Sequence, residues 1–249
     1  MMKSNIQSAL LLVLSTVVML SCSKDENQPS TTVAGIRIQA LNKSYSLPVN
    51  GTKSVSTVTA VSWDTARMVV SGLKFEAELK SLITHHDSVE FEYKWRGPEV
   101  VNLFDTTFTI GNITLQPGFY DEIEIKIEGL KRDAGTDPVF LLTGVYTNTN
   151  SEIIPISVRV YEDILFKTEK NSVEITSADI SVFSSVIQLY LDQLMMDISP
   201  EQLDNAILTD GELIISAQSN TALYRIFMRN LGRDHHCEHG HGHGHGHGG

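Results

Sequence analysis

Three segments of this chain alternate apolar and polar residues with a strict period of two. Leu73, Phe75, Ala77 and Leu79 form the first set, Val89, Phe91, Tyr93 and Trp95 the second, and Ile123, Ile125 and Ile127 the third; Glu and Lys fill most of the places between them. Only an extended backbone sends successive side chains to opposite faces, so each segment reads as a strand with one dry face and one wet face. That pattern belongs to antiparallel sheets packed on a core. Turn-forming groups separate the segments: Asn50-Gly51, Gly97-Pro98, Gln116-Pro117-Gly118 and Asp133-Ala134-Gly135. Short strands at such intervals predict a mainly β fold, an antiparallel β-sandwich, over a body that runs from Val33 to Leu231 as one large or two small domains.

The last third changes period. Val182, Phe183, Val186, Ile187, Tyr190, Leu191, Leu194 and Met195 recur at helical spacing, which predicts helix from Ser181 onward. A second short helix is predicted from Ser199, which can cap it, with Pro200 in the first turn and Gln202 closing a capping box. These helical elements occupy about 181–207. Gly211 to Ser216 reads as a strand, and Asn220 to Leu231 as a final amphipathic helix with Leu223, Ile226, Phe227 and Leu231 on one side. Two or three C-terminal helices therefore accompany the sheets.

The N-terminus carries a different signal. Lys3 is the only charge among the first 21 residues, and an apolar run from Ala9 to Leu20 follows it. The run is shorter than the roughly 20 residues a bilayer-spanning helix needs. A basic start, a short apolar stretch and small residues predict a cleaved signal peptide over residues 1–21. The junction Met19-Leu20-Ser21-Cys22 resembles a bacterial lipobox, with Met19 where Leu is commoner. The resemblance implies acylation of Cys22 (palmitate among the chains) and anchorage in membrane lipid, since several chains are needed for stable attachment. Residues 22–32 read as a tether. Its opening, Ser23-Lys24-Asp25-Glu26, resembles a surface-export signal of outer-membrane lipoproteins, so display at the cell surface is favoured over the periplasmic face.

Charge narrows the partners. The chain has 30 acidic and 19 basic residues, a net charge of −11. Removing residues 1–21 takes away one lysine and leaves −12. Nucleic acid needs clustered Lys and Arg, so no nucleic-acid partner is expected. With Cys22 acylated, Cys237 stands alone and no internal disulfide can form.

A family resemblance rests on short elements. Val100-Val101-Asn102-Leu103-Phe104-Asp105, then Ile113 to Tyr120 and the Ile123/Ile125/Ile127 strand, resemble an uncharacterised group of outer-membrane lipoproteins, as do Pro155-Ile156-Ser157-Val158 and Gly211 to Ser216. The resemblance implies a transthyretin-like or Ig-like β-sandwich and no catalytic residues.

The final segment carries the strongest chemistry. His235, His236, Cys237, Glu238, His239, His241, His243, His245 and His247 lie in a Gly-interleaved stretch. This composition cannot build a core, and predicts a disordered His/Gly-rich tail over 232–249. Neutral imidazole ligates Zn²⁺, Ni²⁺ and Cu²⁺, and Cys237 and Glu238 add a thiolate and a carboxylate. The tail is thus a candidate binder of zinc, nickel or copper, with no cofactor required by the body. A purification tag would have similar chemistry, but the irregular His235-His236-Cys237-Glu238-His239 opening and the signal sequence argue against one.

Weaker candidates remain. His85-His86-Asp87 reads as a surface loop. Asp64-Thr65-Ala66, Asp87-Ser88-Val89 and Asp105-Thr106-Thr107 resemble an Asp-Ser/Thr O-glycosylation pattern of exported bacterial proteins. Trp63 and Trp95 are candidate sugar-stacking residues, with core burial the better reading for Trp95. No Gly-x-Ser-x-Gly, His-Glu-x-x-His, phosphate loop or EF-hand pattern occurs. The sequence thus predicts a non-enzymatic lipoprotein of the outer membrane with a metal-binding tail. The competing reading is a surface adhesion or glycan-binding protein, its glycan or protein partner unnamed, in which the tail is incidental.

Overall fold

The computed structural model describes residues 32–48, 59–80, 88–131, 137–176 and 184–232. Twelve strands and three helices lie among them, so the fold is mainly β with two sheets. The strands are β1 Thr32–Leu41, β2 Ser44–Ser46, β3 Ala60–Lys80, β4 Ser88–Asn102, β5 Gly111–Leu115, β6 Gly118–Gly129, β7 Phe140–Thr147, β8 Ile153–Val160, β9 Ile164–Ile175, β10 Ser184–Tyr190, β11 Leu208–Thr209 and β12 Glu212–Ser216. The helices are α1 Leu191–Leu194, α2 Pro200–Asp204 and α3 Thr221–Leu231. A three-stranded sheet runs β10-β1-β5; a nine-stranded sheet runs β11-β12-β8-β7-β3-β6-β9, with β2 and β4 also on β3. Most pairs are antiparallel, as predicted. Two are parallel, β1 with β10 and β12 with β8.

β3 organises the molecule. Its first half pairs with β2 and β7, its second half with β4 and β6. Along it the buried face changes parity. Ala66, Met68 and Val70 are buried, then Leu73, Phe75 and Ala77. One side of a continuous strand therefore meets the core near Met68 and faces solvent at Lys74, Glu76 and Glu78, while the other side meets the core at Leu73, Phe75 and Ala77; the change falls where Met68, Val69 and Val70 are all buried. Phe140, opposite Met68, stacks against Phe227 of α3 with ring centroids 6.1 Å apart, so the helix covers the first side. The small sheet covers the second: a Cβ on Gly111 would lie 2.8 Å from Leu73 Cδ2 and 2.9 Å from Tyr93 Cε1, and only glycine permits β5 to come so close.

Several sequence expectations need correction. The segment from Ser184 to Tyr190 is a strand, not a helix, and helix appears only at Leu191. Its apolar residues are dense enough to satisfy either period. Docking beside β1 decides between them, because Ile187 and Leu189 are buried in the sheet and β1 gains a partner for its backbone. Gly97-Pro98 does not separate strands. It is a cis bond within β4, at the irregularity where Val70 pairs with Glu99 and Gly72 with Arg96. The Ser199 capping box, the β12 strand and α3 occur where predicted. Asn50-Gly51 and Asp133-Ala134-Gly135 lie outside the described residues.

Candidate functional site

The wet face of the second half of the large sheet carries charges in ranks. Cross-strand register places Lys94, Lys74, Lys126 and Lys167 in one row over β4, β3, β6 and β9. The next row is Glu92, Glu76, Glu124 and Glu169, and the third is Glu90, Glu78, Glu122 and Asn171. Like charges directly opposite one another destabilise a sheet. Here each lysine binds the carboxylate two residues along its own strand. Lys74 Nζ reaches Glu76 at 2.5 Å, Lys94 reaches Glu92 at 2.5 Å, Lys167 reaches Glu169 at 3.1 Å, and Lys126 bonds Glu124. Lys167 also reaches Glu124 at 2.6 Å.

Glu124 is the centre of this lattice and is only 7% exposed. Burial alone would raise its pKa, but hydrogen bonds from Lys126 and Lys167 outweigh that and hold it down at about 2. Glu92 and Glu169 are lowered first by their bonds from Lys94 and Lys167, and Lys167 is raised by its bonds to Glu124 and Glu169. The third row has no lysine of its own. It borders an open cleft of about 530 Å³ lined by Glu76, Glu78, Ser88, Glu90, Glu122 and Lys126, among others.

Glu122, Glu124 and Glu169 bring carboxylate oxygens within 4.8 Å of one another. Such an all-oxygen set suits a hard cation of the calcium or magnesium kind, not zinc, nickel or copper. Two of these carboxylates already engage lysines, so the arrangement is an ion-pair lattice first.

The predicted site residues fall differently. Cys22, His235, His236, Cys237, Glu238, His239, His241, His243, His245 and His247 all lie outside the described residues, as does His85-His86-Asp87. Gly232, at the start of the predicted tail, caps α3. Trp63 is fully buried, and its Nε1 donates to Tyr45 Oη at 3.2 Å, so it offers no face to a sugar. Trp95 is half-buried against the core beside Phe91 and Tyr93. Asp64 sits at an irregularity of β3, between Trp63 and Thr65. Asp105 forms an exposed turn in which the N–H and hydroxyl of Thr107 donate to Oδ1 at 2.8 and 2.7 Å. Among the described residues, no helix is long and apolar enough to cross a membrane. The ranking of these charges is not legible in the sequence pattern. Their trace there is the recurrence of Glu-x-Glu-x-Lys at Glu90–Lys94 and Glu122–Lys126, and of its reverse at Lys74–Glu78.

No protein-family model, curated protein or solved structure matches this chain.

Proposed function

We propose that this chain is a non-enzymatic lipoprotein of the outer membrane, anchored through acylated Cys22, whose His-rich segment binds divalent transition metal ions outside the cytoplasm. Cell-surface display is favoured over the periplasmic face. In this reading the body is a transthyretin-like or Ig-like β-sandwich of the uncharacterised lipoprotein group it resembles.

One observation carries the proposal: the chemistry-bearing segments bracket the β body. The lipobox-like Cys22 precedes the first strand at Thr32, and the imidazoles begin at His235, just after α3 ends at Leu231. The glycan-binding alternative has less support, because Trp63 is enclosed and Trp95 packs into the core edge.

Two measurements test the reading. Palmitate labelling should mark the wild-type chain, and Cys22→Ser should abolish both the label and membrane fractionation. Calorimetry with zinc, nickel and copper should give binding to the full chain and none after residues 233–249 are deleted. Unchanged metal uptake on deletion would refute the assignment to the tail.

A further inference from the structure

β4 ends the large sheet on one side. Among the described residues its only partner strand is β3. From Ser88 to Arg96 this edge contains no proline or glycine, and its first irregularity comes at Gly97-Pro98. Edge strands of stable monomers are normally short, bulged or covered, because an open edge invites another strand. Here the edge is long, and it leaves apolar surface uncovered. Val89 is 54% exposed, and Phe91, Tyr93 and Trp95 are half-buried although they form one row on the core face.

The side chains of this edge complement themselves. Consider a two-fold axis at Tyr93 with a second copy of β4 antiparallel to the first. Glu92 then lies opposite Lys94 of the second copy, and Glu90 opposite Arg96. On the other face Phe91 meets Trp95 of the second copy, and the two Tyr93 rings meet each other. The axis generates every pair twice. Four ion pairs thus occupy one face and an aromatic row the other, both favoured cross-strand combinations. The register of the whole sheet agrees with this arrangement. The row Lys94, Lys74, Lys126, Lys167 of one copy runs on into the row Glu92, Glu76, Glu124, Glu169 of the other. Rows of one sign, unfavourable across strands within a chain, become complementary at the junction.

We propose that this protein forms an isologous dimer by antiparallel pairing of β4 with β4 of a second copy about a two-fold axis at Tyr93, which joins the two large sheets into one. The dimer depends neither on the lipid nor on the metal of the preceding reading.

Charge reversal at Glu92 and Lys94, read as a change in concentration-dependent association, tests this dimer. Glu92→Lys places a lysine opposite Lys94 of the second copy; within its own chain it lies opposite Glu76 but gives up the pairs that Glu92 makes with Lys94 and Lys74. Lys94→Glu places a glutamate beside Lys74 but opposite Glu92. Each single reversal also breaks the exposed Glu92–Lys94 pair of its own strand, which adds little to folding, and should weaken association about tenfold, because two attractive pairs across the axis become repulsive. The double reversal should restore it. Light scattering on the purified full chain across a concentration series gives the affinities. Hydrogen exchange should show amides between Val89 and Arg96 gaining protection as the dimer forms. A chain that stays monomeric throughout overturns the proposal. So does a dimer whose affinity neither reversal changes, or one that forms without added protection in β4.

Discussion

Lys74 and Lys126 face one another directly across the β3–β6 pair, and two residues further along each strand Glu76 faces Glu124 in the same way. Residues directly opposite one another therefore do not neutralise each other; the cross-strand pairs are diagonal, Lys167 to Glu124 at 2.6 Å, Lys74 to Glu92 at 3.6 Å and Lys126 to Glu76 at 3.9 Å. The shortest pairs run lengthwise, from Lys74 to Glu76 and from Lys126 to Glu124. Stability on this face thus depends on the carboxylates staying ionised.

Acid should weaken the fold through Glu124. Its folded pKa, about 2, is below the ordinary value of 4.5. The unfolded chain therefore binds the proton more readily, and stability rises with pH across that interval. The contribution is complete above about pH 5 and is lost as pH falls toward 2; its size is on the order of 3 kcal/mol. Glu92 and Glu169, also lowered, act in the same direction. Urea unfolding at a series of pH values should show this slope, and Glu124→Gln should flatten it. An unchanged slope in the variant would place the acid sensitivity elsewhere.

Phe227 should be the residue on which α3 most depends. It is fully buried and its ring meets Phe140 above Met68. Phe227→Ala should cost about 3–5 kcal/mol. Thermal melting should fall accordingly, and a loss under 1 kcal/mol would mean that α3 adds little to the core.

A buried hydroxyl ties α2 to the sheet. Tyr146 Oη donates to Asp204 Oδ1 at 2.6 Å, and Thr149 Oγ1 donates to Asp204 Oδ2 at 2.5 Å. Burial raises the Tyr146 pKa, and the Asp204 carboxylate raises it further. Asp204→Ala leaves the Tyr146 hydroxyl near the Pro200 carbonyl alone, at 3.2 Å, and should cost about 1–3 kcal/mol. Tyr146→Phe should absorb most of that loss in a double-mutant cycle. Additive effects would show that the bond is not coupled to stability.

Metal binding by the His-rich segment should follow imidazole ionisation. Neutral imidazole ligates and the protonated ring does not. Zinc affinity of the full chain should fall about tenfold or more between pH 7.5 and pH 5.5, because protons compete with the metal for the imidazole nitrogens. Equal affinity at both values would point to carboxylate ligands instead.

The amino-acid order alone determined the strands with strict alternation, because a period of two can be met by one backbone only. It also determined the Ser199 cap and the α3 stripe, whose signals lie within a few residues of each other. Other features needed the folded chain. Ser184–Tyr190 satisfied two periods, and its pairing with β1 selected the strand. Gly97-Pro98 resembled a turn, and only its place against Val70 and Gly72 made it an irregularity inside β4. The charges of each strand could be read in sequence, but whether Lys74 meets Lys126 or a carboxylate depends on register. Register is set by which side chains the core accepts, among partners more than forty residues apart.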